Sequence, residues 1–178
     1  RSQREYLERR FPDWSAVDRI ARIDEYLKLY GNSSGRWWAL TRKAGFLGEI
    51  AQPGDTATAR AALAACADVL NGAAPSADKK EALLQSASLM KKVGDGAGAA
   101  RVFQGFAAAY GDDPRMVTVL YDLGETLVDL RDYVGAAAAF DRCIARAPAR
   151  PLAEKCLLRK ADCLFYRNMF AEAAAAYE

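Results

Sequence analysis

The chain has 178 residues, a net charge of +2 with both signs interspersed, and 52% hydrophobic residues. That is enough apolar material for one domain or one array of repeats, and no apolar run approaches the ~20 residues of a membrane span. The small, mixed charge argues against nucleic acid as the main partner, which needs a concentrated basic stripe, and the absence of histidine removes the commonest general base and every Ser-His or Cys-His arrangement.

Arg1 to Arg10 is highly charged and reads as the tail of an incomplete first helix, with Tyr6, Leu7 and Phe11 as its apolar residues. Pro12-Asp13 breaks it. Asp13 or Ser15 can cap a helix over 14–30 that carries Ile20, Ile23, Leu27 and Tyr30 on one stripe. Glycine suits the residue after a helix, and Tyr30-Gly31-Asn32 ends this one. Asn32–Gly35 is a loop, and a helix over 36–50 follows. Gln52-Pro53-Gly54-Asp55 is a long turn, and Asp55 or Thr56 caps a helix over 56–70. A Gly/Ala/Pro loop at 71–76 leads to a helix that Ser76 or Asp78 opens and that runs to Val93. Gly94-Asp95-Gly96 turns the chain into a helix over 97–110. Asp112-Asp113-Pro114 starts the next hairpin.

The stretch 120–148 is two amphipathic helices joined by Arg131-Asp132-Tyr133. Leu120, Gly124 and Leu127 share one face of the first; Ala136, Phe140 and Cys143 share one face of the second. Gly124 and Ala136 are small where the helices must approach closely, and Pro148 is expected to stop the second helix. The face Leu120/Gly124/Leu127 recurs as Leu157/Ala161/Leu164 and as Leu83/Ala87/Met90, each 37 residues away. The face Ala136/Phe140 recurs at the same distance as Ala173/Tyr177 and Ala99/Phe103. A fourth copy stands upstream at Leu40/Ala44/Leu47 with Ala59/Leu63/Cys66.

The copy at 117–150 carries Leu120, Leu123, Gly124, Leu127, Tyr133, Ala136, Phe140 and Pro148 at the spacing of the tetratricopeptide repeat, which the chain resembles. Cys143 replaces an Ala of that pattern, Lys43, Ser86 and Lys160 replace a Leu, and the period exceeds the family's ~34 through a longer loop. The resemblance implies an all-α, right-handed solenoid of antiparallel helical hairpins. It divides 1–178, as one array, into a degenerate leading repeat (1–35), repeats at 36–75, 76–113 and 114–150, and an incomplete last repeat (151–178). The Phe-x-x-Phe-x-x-x-Tyr-Gly-Asp-Asp-Pro stretch that starts at Phe103 is also similar to repeats of bacterial envelope proteins, such as outer-membrane assembly lipoproteins and Tol-associated coordinators. That likeness inclines the expected location towards the periplasm. The chain starts without Met and stops inside a helix, so it is expected to be part of something longer, or to need a partner over its exposed C-terminal end.

Cys66 and Cys143 fall at small positions and read as buried thiols. Cys156 and Cys163 are seven residues apart on one helix, ~10 Å along its axis and too far for a disulfide. No CxxC pair exists and a zinc site is not expected. Gly94–Gly98 is glycine-rich but reads as a turn between helices, not a phosphate loop, and the acidic pairs read as caps. No catalytic residue, metal or cofactor is expected.

Function then lies on surfaces, and the resemblance places ligands on the concave helix-A face. The candidates there are Trp38, Thr41, Leu84, Tyr121, Glu125, Val128, Leu158, Asp162 and Phe165, lining a groove for an amphipathic helix or extended peptide. The competing reading packs these apolar residues against neighbouring helices. Of Trp37-Trp38, one ring is expected in the core and the other at the surface. The branch of the family that grips a C-terminal carboxylate uses Asn where this chain has Gly45, Ser88, Glu125 and Asp162, so that branch is excluded. The expected function is a non-catalytic scaffold or adaptor with a protein or peptide partner. The alternatives are a helical regulatory or substrate-positioning module of a larger enzyme and a self-assembling subunit.

Overall fold

A computed structural model describes residues 2–52, 54–146 and 151–177. Arg1, Pro53, residues 147–150 with the expected Pro148 stop, and Glu178 lie outside them. Among the described residues every regular element is helical. The chain groups into two compact units, 1–94 and 95–178, and the division falls at the turn after Gly94.

The first unit holds α1 (Gln3–Arg10), a 3-10 turn at Phe11–Asp13, α2 (Ala16–Tyr30), α3 (Gly35–Ile50), α4 (Thr56–Asn71) and α5 (Ser76–Lys92). Side-chain oxygens start three of them: Ser2 accepts from the Glu5 N–H, Ser15 from Asp18, and Asp55 from Thr58. The Thr58 side chain and backbone, bonding to Asp55, hold its carboxyl below the ordinary value. Its cap is therefore fully formed at neutral pH and fades only as pH falls through that lowered value. α2 packs on α3, α3 on α4, and α4 on α5, with α3 also meeting α5. Two cores result. Leu7, Phe11, Ile23, Tyr26, Trp38 and Phe46 tie α1 and the turn to α2 and α3. Leu40, Ala44, Leu47, Ala62, Cys66, Val69 and Leu89 join α3, α4 and α5.

The second unit holds α6 (Gly96–Ala109), α7 (Met116–Asp129), α8 (Tyr133–Arg146), α9 (Pro151–Tyr166) and α10 (Phe170–Tyr177). Each packs on its sequence neighbour, and α7 also touches α9. The two predicted faces of the 120–143 hairpin are buried in full: Leu120, Gly124 and Leu127 of α7 meet Ala136, Phe140 and Cys143 of α8. The copy on α9 and α10 departs from this. Ala161, Leu164 and Ala173 are buried, but Leu157 and Tyr177 stand exposed, because no further described helix packs outside α10.

The 37-residue period is also written in the backbone. Gly94, Arg131 and Asn168 are 37 apart, and all three adopt positive φ (83°, 61° and 61°). At the second and third turns the helix closes in the same way, the Asp132 N–H donating to Leu127 O and the Met169 N–H to Leu164 O. These bonds, spanning six residues, satisfy the last carbonyls of α7 and α9. Asp95 and Asp132, again 37 apart, then cap α6 and α8 by accepting from the Gly98 and Gly135 N–H groups.

Arginine is an unusual occupant of a left-handed position, which costs a residue with a Cβ ~1–2 kcal/mol. Glycine there escapes that cost but adds ~0.5–1 kcal/mol of unfolded-chain entropy to be lost on folding. Arg131→Gly is therefore expected to stabilise the protein by ~0.5–1 kcal/mol, read as a higher urea midpoint at unchanged slope. A lower midpoint would mean that the Arg131 side chain makes up for its backbone.

Candidate interaction site

The nine residues expected on one concave surface divide in the structure. Two of them are not on a surface. Trp38 is only 4% exposed. Its ring stacks on Phe11 at 6.2 Å and meets Tyr26 edge-on at 5.5 Å, with the Arg4 guanidinium 5.1 Å over it. Even its Nε1–H is left without a hydrogen-bond partner. Thr41 is 5% exposed, and its hydroxyl donates to Trp37 O one turn earlier. For Trp38 the cause is the leading segment: α1, the 3-10 turn and α2 cover the side of α3 that carries its ring. Trp37 is the outer ring of the pair. It is half-buried against Gly72, where any Cβ would collide with it, and lies under the Arg36 guanidinium at 4.9 Å.

What the first unit does present between α3 and α5 is a shallow cleft of about 320 Å³, lined by Gly45, Gly48, Glu49, Gln85, Ser88 and Lys92 among others. The Lys92 ammonium closes one end by donating to Gly48 O (2.6 Å) and Ala51 O. Gln85 donates to Glu81 while its Oε1 is buried without a partner. Leu84 is half-buried nearby on α5.

In the second unit the remaining six candidates lie on α7 and α9. Tyr121, Glu125 and Val128 are half-buried on α7, as is Asp162 on α9; Leu158 and Phe165 are exposed on α9. The residue that organises the charges among them is Arg159. Its guanidinium spans the two helices, 2.5 Å from Glu125 and 3.1 Å from Asp162. Asp162 also accepts from the Tyr177 hydroxyl at 2.6 Å, which brings in α10. The Glu125 carboxylate beside Arg159 holds that guanidinium protonated well beyond its ordinary range. The bond to Asp162 pushes the Tyr177 phenol up, and burial does the same to Tyr121. The two acids are thus counterbalanced by one cation, so the surface is far less acidic than the carboxylates alone imply. A signal for this was available: Arg159 stands three residues before Asp162, the spacing of a helical ion pair.

The aromatic residues do not form one strip. The Tyr121 ring sits 6.0 Å from Phe140 and belongs partly to the α7–α8 core. Phe165 lies against Phe170 at 5.4 Å and Tyr166 at 6.0 Å, and Tyr166 stacks on Tyr133 at 5.1 Å. Leu158, Phe165, Tyr166, Phe170 and Tyr177 together are between 48% and 57% exposed. Five such side chains on two adjoining helices make an apolar surface of the kind that marks a contact site. Tyr166 and Phe170 were not among the sequence candidates, since they sit at or beyond the end of α9, whereas Tyr177 belongs to the C-terminal end expected to need a partner. A second depression, about 370 Å³, lies near the starts of α7 and α9, among Pro114, Val117, Thr118, Pro151, Leu152 and Lys155.

No described helix is long and apolar enough to cross a membrane. No family model matches the chain, and no curated protein matches it. Solved structures do. A MamA protein is similar at a TM-score of 0.76 and 13% identity, over 96% of this chain and 84% of that one. The MamA RS-1 ArsTM double mutant matches at 0.76 and 14%, over 98% and 88%. A tetratricopeptide repeat protein from Parabacteroides merdae matches at 0.68 and 15%, over 97% and 75%. At these identities the likeness speaks to the fold: the chain has an all-α, tetratricopeptide-repeat-like solenoid fold. The similarity to envelope repeats expected from the ending near Phe103 finds no counterpart among these structures.

Proposed function

We propose that the chain is a non-catalytic interaction module, a scaffold or adaptor that takes an amphipathic helix or extended peptide of a partner protein onto α7, α9 and α10. The observation that carries this reading is the exposed patch of Leu158, Phe165, Tyr166, Phe170 and Tyr177. Aromatic side chains supply most of the energy at interfaces, and here they stand exposed on α9 and α10. Leu158 and Phe165 form the apolar centre, Tyr121 and Val128 its α7 edge, and the Glu125–Arg159–Asp162 group its polar border. In the first unit Leu84 and the Gly45/Gly48 cleft are a second, smaller place for extended chain. A partner facing the border would pair its own cation with Asp162 or its own carboxylate with Arg159, giving register more than affinity.

Selection from a random peptide display library on the immobilised chain tests this. Peptides with apolar residues at i, i+3 and i+4, losing binding to a Leu158→Ala variant, are expected. No enrichment above the bare matrix would sink the reading. The same rings could also meet a second copy, so light scattering over a range of concentrations separates a self-assembling subunit, whose mass rises with concentration, from a monomeric adaptor.

A further inference from the structure

Nothing in the sequence spacing pairs Cys143 with Cys156, 13 residues apart and on different helices. The fold brings them together. Cys143 on α8 and Cys156 on α9 have their sulfurs 2.7 Å apart, the Cys156 S–H directed at the Cys143 sulfur. The Cys143 thiol in turn points at Val117 O of α7, at 3.5 Å. Its sulfur therefore sits where three helices meet, and both side chains are fully buried. Cys163 lies seven residues further along α9, and Cys66 belongs to the other unit. Two sulfurs held this close need to move only about 0.7 Å to reach the ~2.05 Å of a covalent bond.

We propose that Cys143 and Cys156 form an oxidisable pair that closes into a disulfide, stapling α8 to α9. The oxidant is a small-molecule disulfide of the glutathione type. One protein thiolate attacks it, releasing one small thiol and leaving a mixed disulfide. The other protein thiol, after losing its proton, attacks the protein sulfur of that intermediate and expels the second small thiol. Two protein thiols are oxidised, one small disulfide is reduced to two thiols, and the two protons pass to the leaving thiolates. Burial decides when this happens. Packed protein seals both sulfurs, and burial pushes the Cys156 thiol up, so the attacking thiolate is scarce in the folded state. The exchange belongs to the open chain, before α9 docks on α8, and the folded protein then keeps whichever state it folded in. The staple does not depend on what the neighbouring surface binds.

Refolding from denaturant in a mixture of oxidised and reduced glutathione tests the pair. The product is alkylated in denaturant and mapped by mass spectrometry. The expected product has two of the four thiols protected from alkylation, is lighter by two hydrogens before alkylation, and yields one cross-linked peptide joining Cys143 to Cys156. Cys143→Ser and Cys156→Ser should each lose that peptide. Helix content measured on each variant shows that the loss is not failure to fold, and the map of the unaltered chain decides the matter by itself. Alkylation of all four thiols after refolding, or a link that joins Cys156 to Cys163 instead, overturns the assignment.

Discussion

Gly124→Leu is expected to lower the melting temperature by several degrees or to unfold the second unit outright. Gly124 lies in the middle of α7, directly over the Phe140 ring of α8. A Cβ at this position would stand 2.6 Å from Cζ and 2.8 Å from Cδ1 of that ring, with Cε1 nearer still. Phe140 cannot retreat. It is wholly buried, with Tyr121 on one side and the rest of the α7–α8 interface around it. Overpacking costs ~1–3 kcal/mol, and a leucine placed into a ring belongs at the top of that range. Removing a mid-helix glycine returns at most ~1 kcal/mol of helix propensity. The loss therefore wins, and a chain of this length shifts by ~2–4 °C per kcal/mol. Gly105→Ala is the control. Gly105 is also inside a helix, α6, but a Cβ there meets nothing within 4 Å, so only the propensity gain should appear. A Gly124→Leu protein that melts where the original does would mean that α7 and α8 do not meet at these residues.

That contact was legible because close packing restricts residue type strongly. Where two helices cross at short range, only Gly, Ala or Cys fits, and a phenylalanine opposite a glycine is a volume match. Such positions repeat every 37 residues and can be read without any structure. The turn after α7 was harder. Gly94 announces its left-handed backbone, whereas Arg131 and Asn168 adopt the same φ with a side chain present. Spacing, more than composition, exposes them. Leu157 and Tyr177 were read into the core by the same period, and the structure leaves them outside. Periodicity tells which face a residue occupies; burial also needs a neighbour on that face.

The site was legible to a lesser degree, for a related reason. The resemblance to the repeat family assigns surface positions from a regular array. Trp38 is a surface position only if nothing covers the start of α3. The leading segment covers it, with Phe11 and Tyr26 closing on the Trp38 ring. No rule of helical period carries that information, since α1 and the 3-10 turn depart from the repeat. Arg159 escaped notice because the positions compared along each helix skip it, although it links Glu125 to Asp162. The sulfur pair crosses between helices of different hairpins, which only the packed structure brings together.

Phe165→Ala is expected to weaken partner binding by about 30-fold while leaving the fold unchanged. Truncating an aromatic anchor at an interface costs ~2 kcal/mol or more, and each 1.4 kcal/mol is about tenfold. Phe165 is 51% exposed, and its ring neighbours Tyr166 and Phe170 are themselves exposed, so its removal opens no cavity in the core. Tyr121→Ala is expected to behave differently. The Tyr121 ring is half-buried against Phe140, so its loss removes packing on the residue that closes the α7–α8 contact. A destabilisation of ~1–3 kcal/mol should accompany whatever it does to binding. The two rings therefore must be changed separately; combined, a loss of binding could not be assigned to surface or to core. Thermal melts and affinity for a peptide selected on the unaltered chain are the two readouts. Full stability with lost affinity in Phe165→Ala places the contact on α9. Retained affinity in that variant would move the contact off this patch, and the α3–α5 cleft around Gly45 and Gln85 would be the next surface to change.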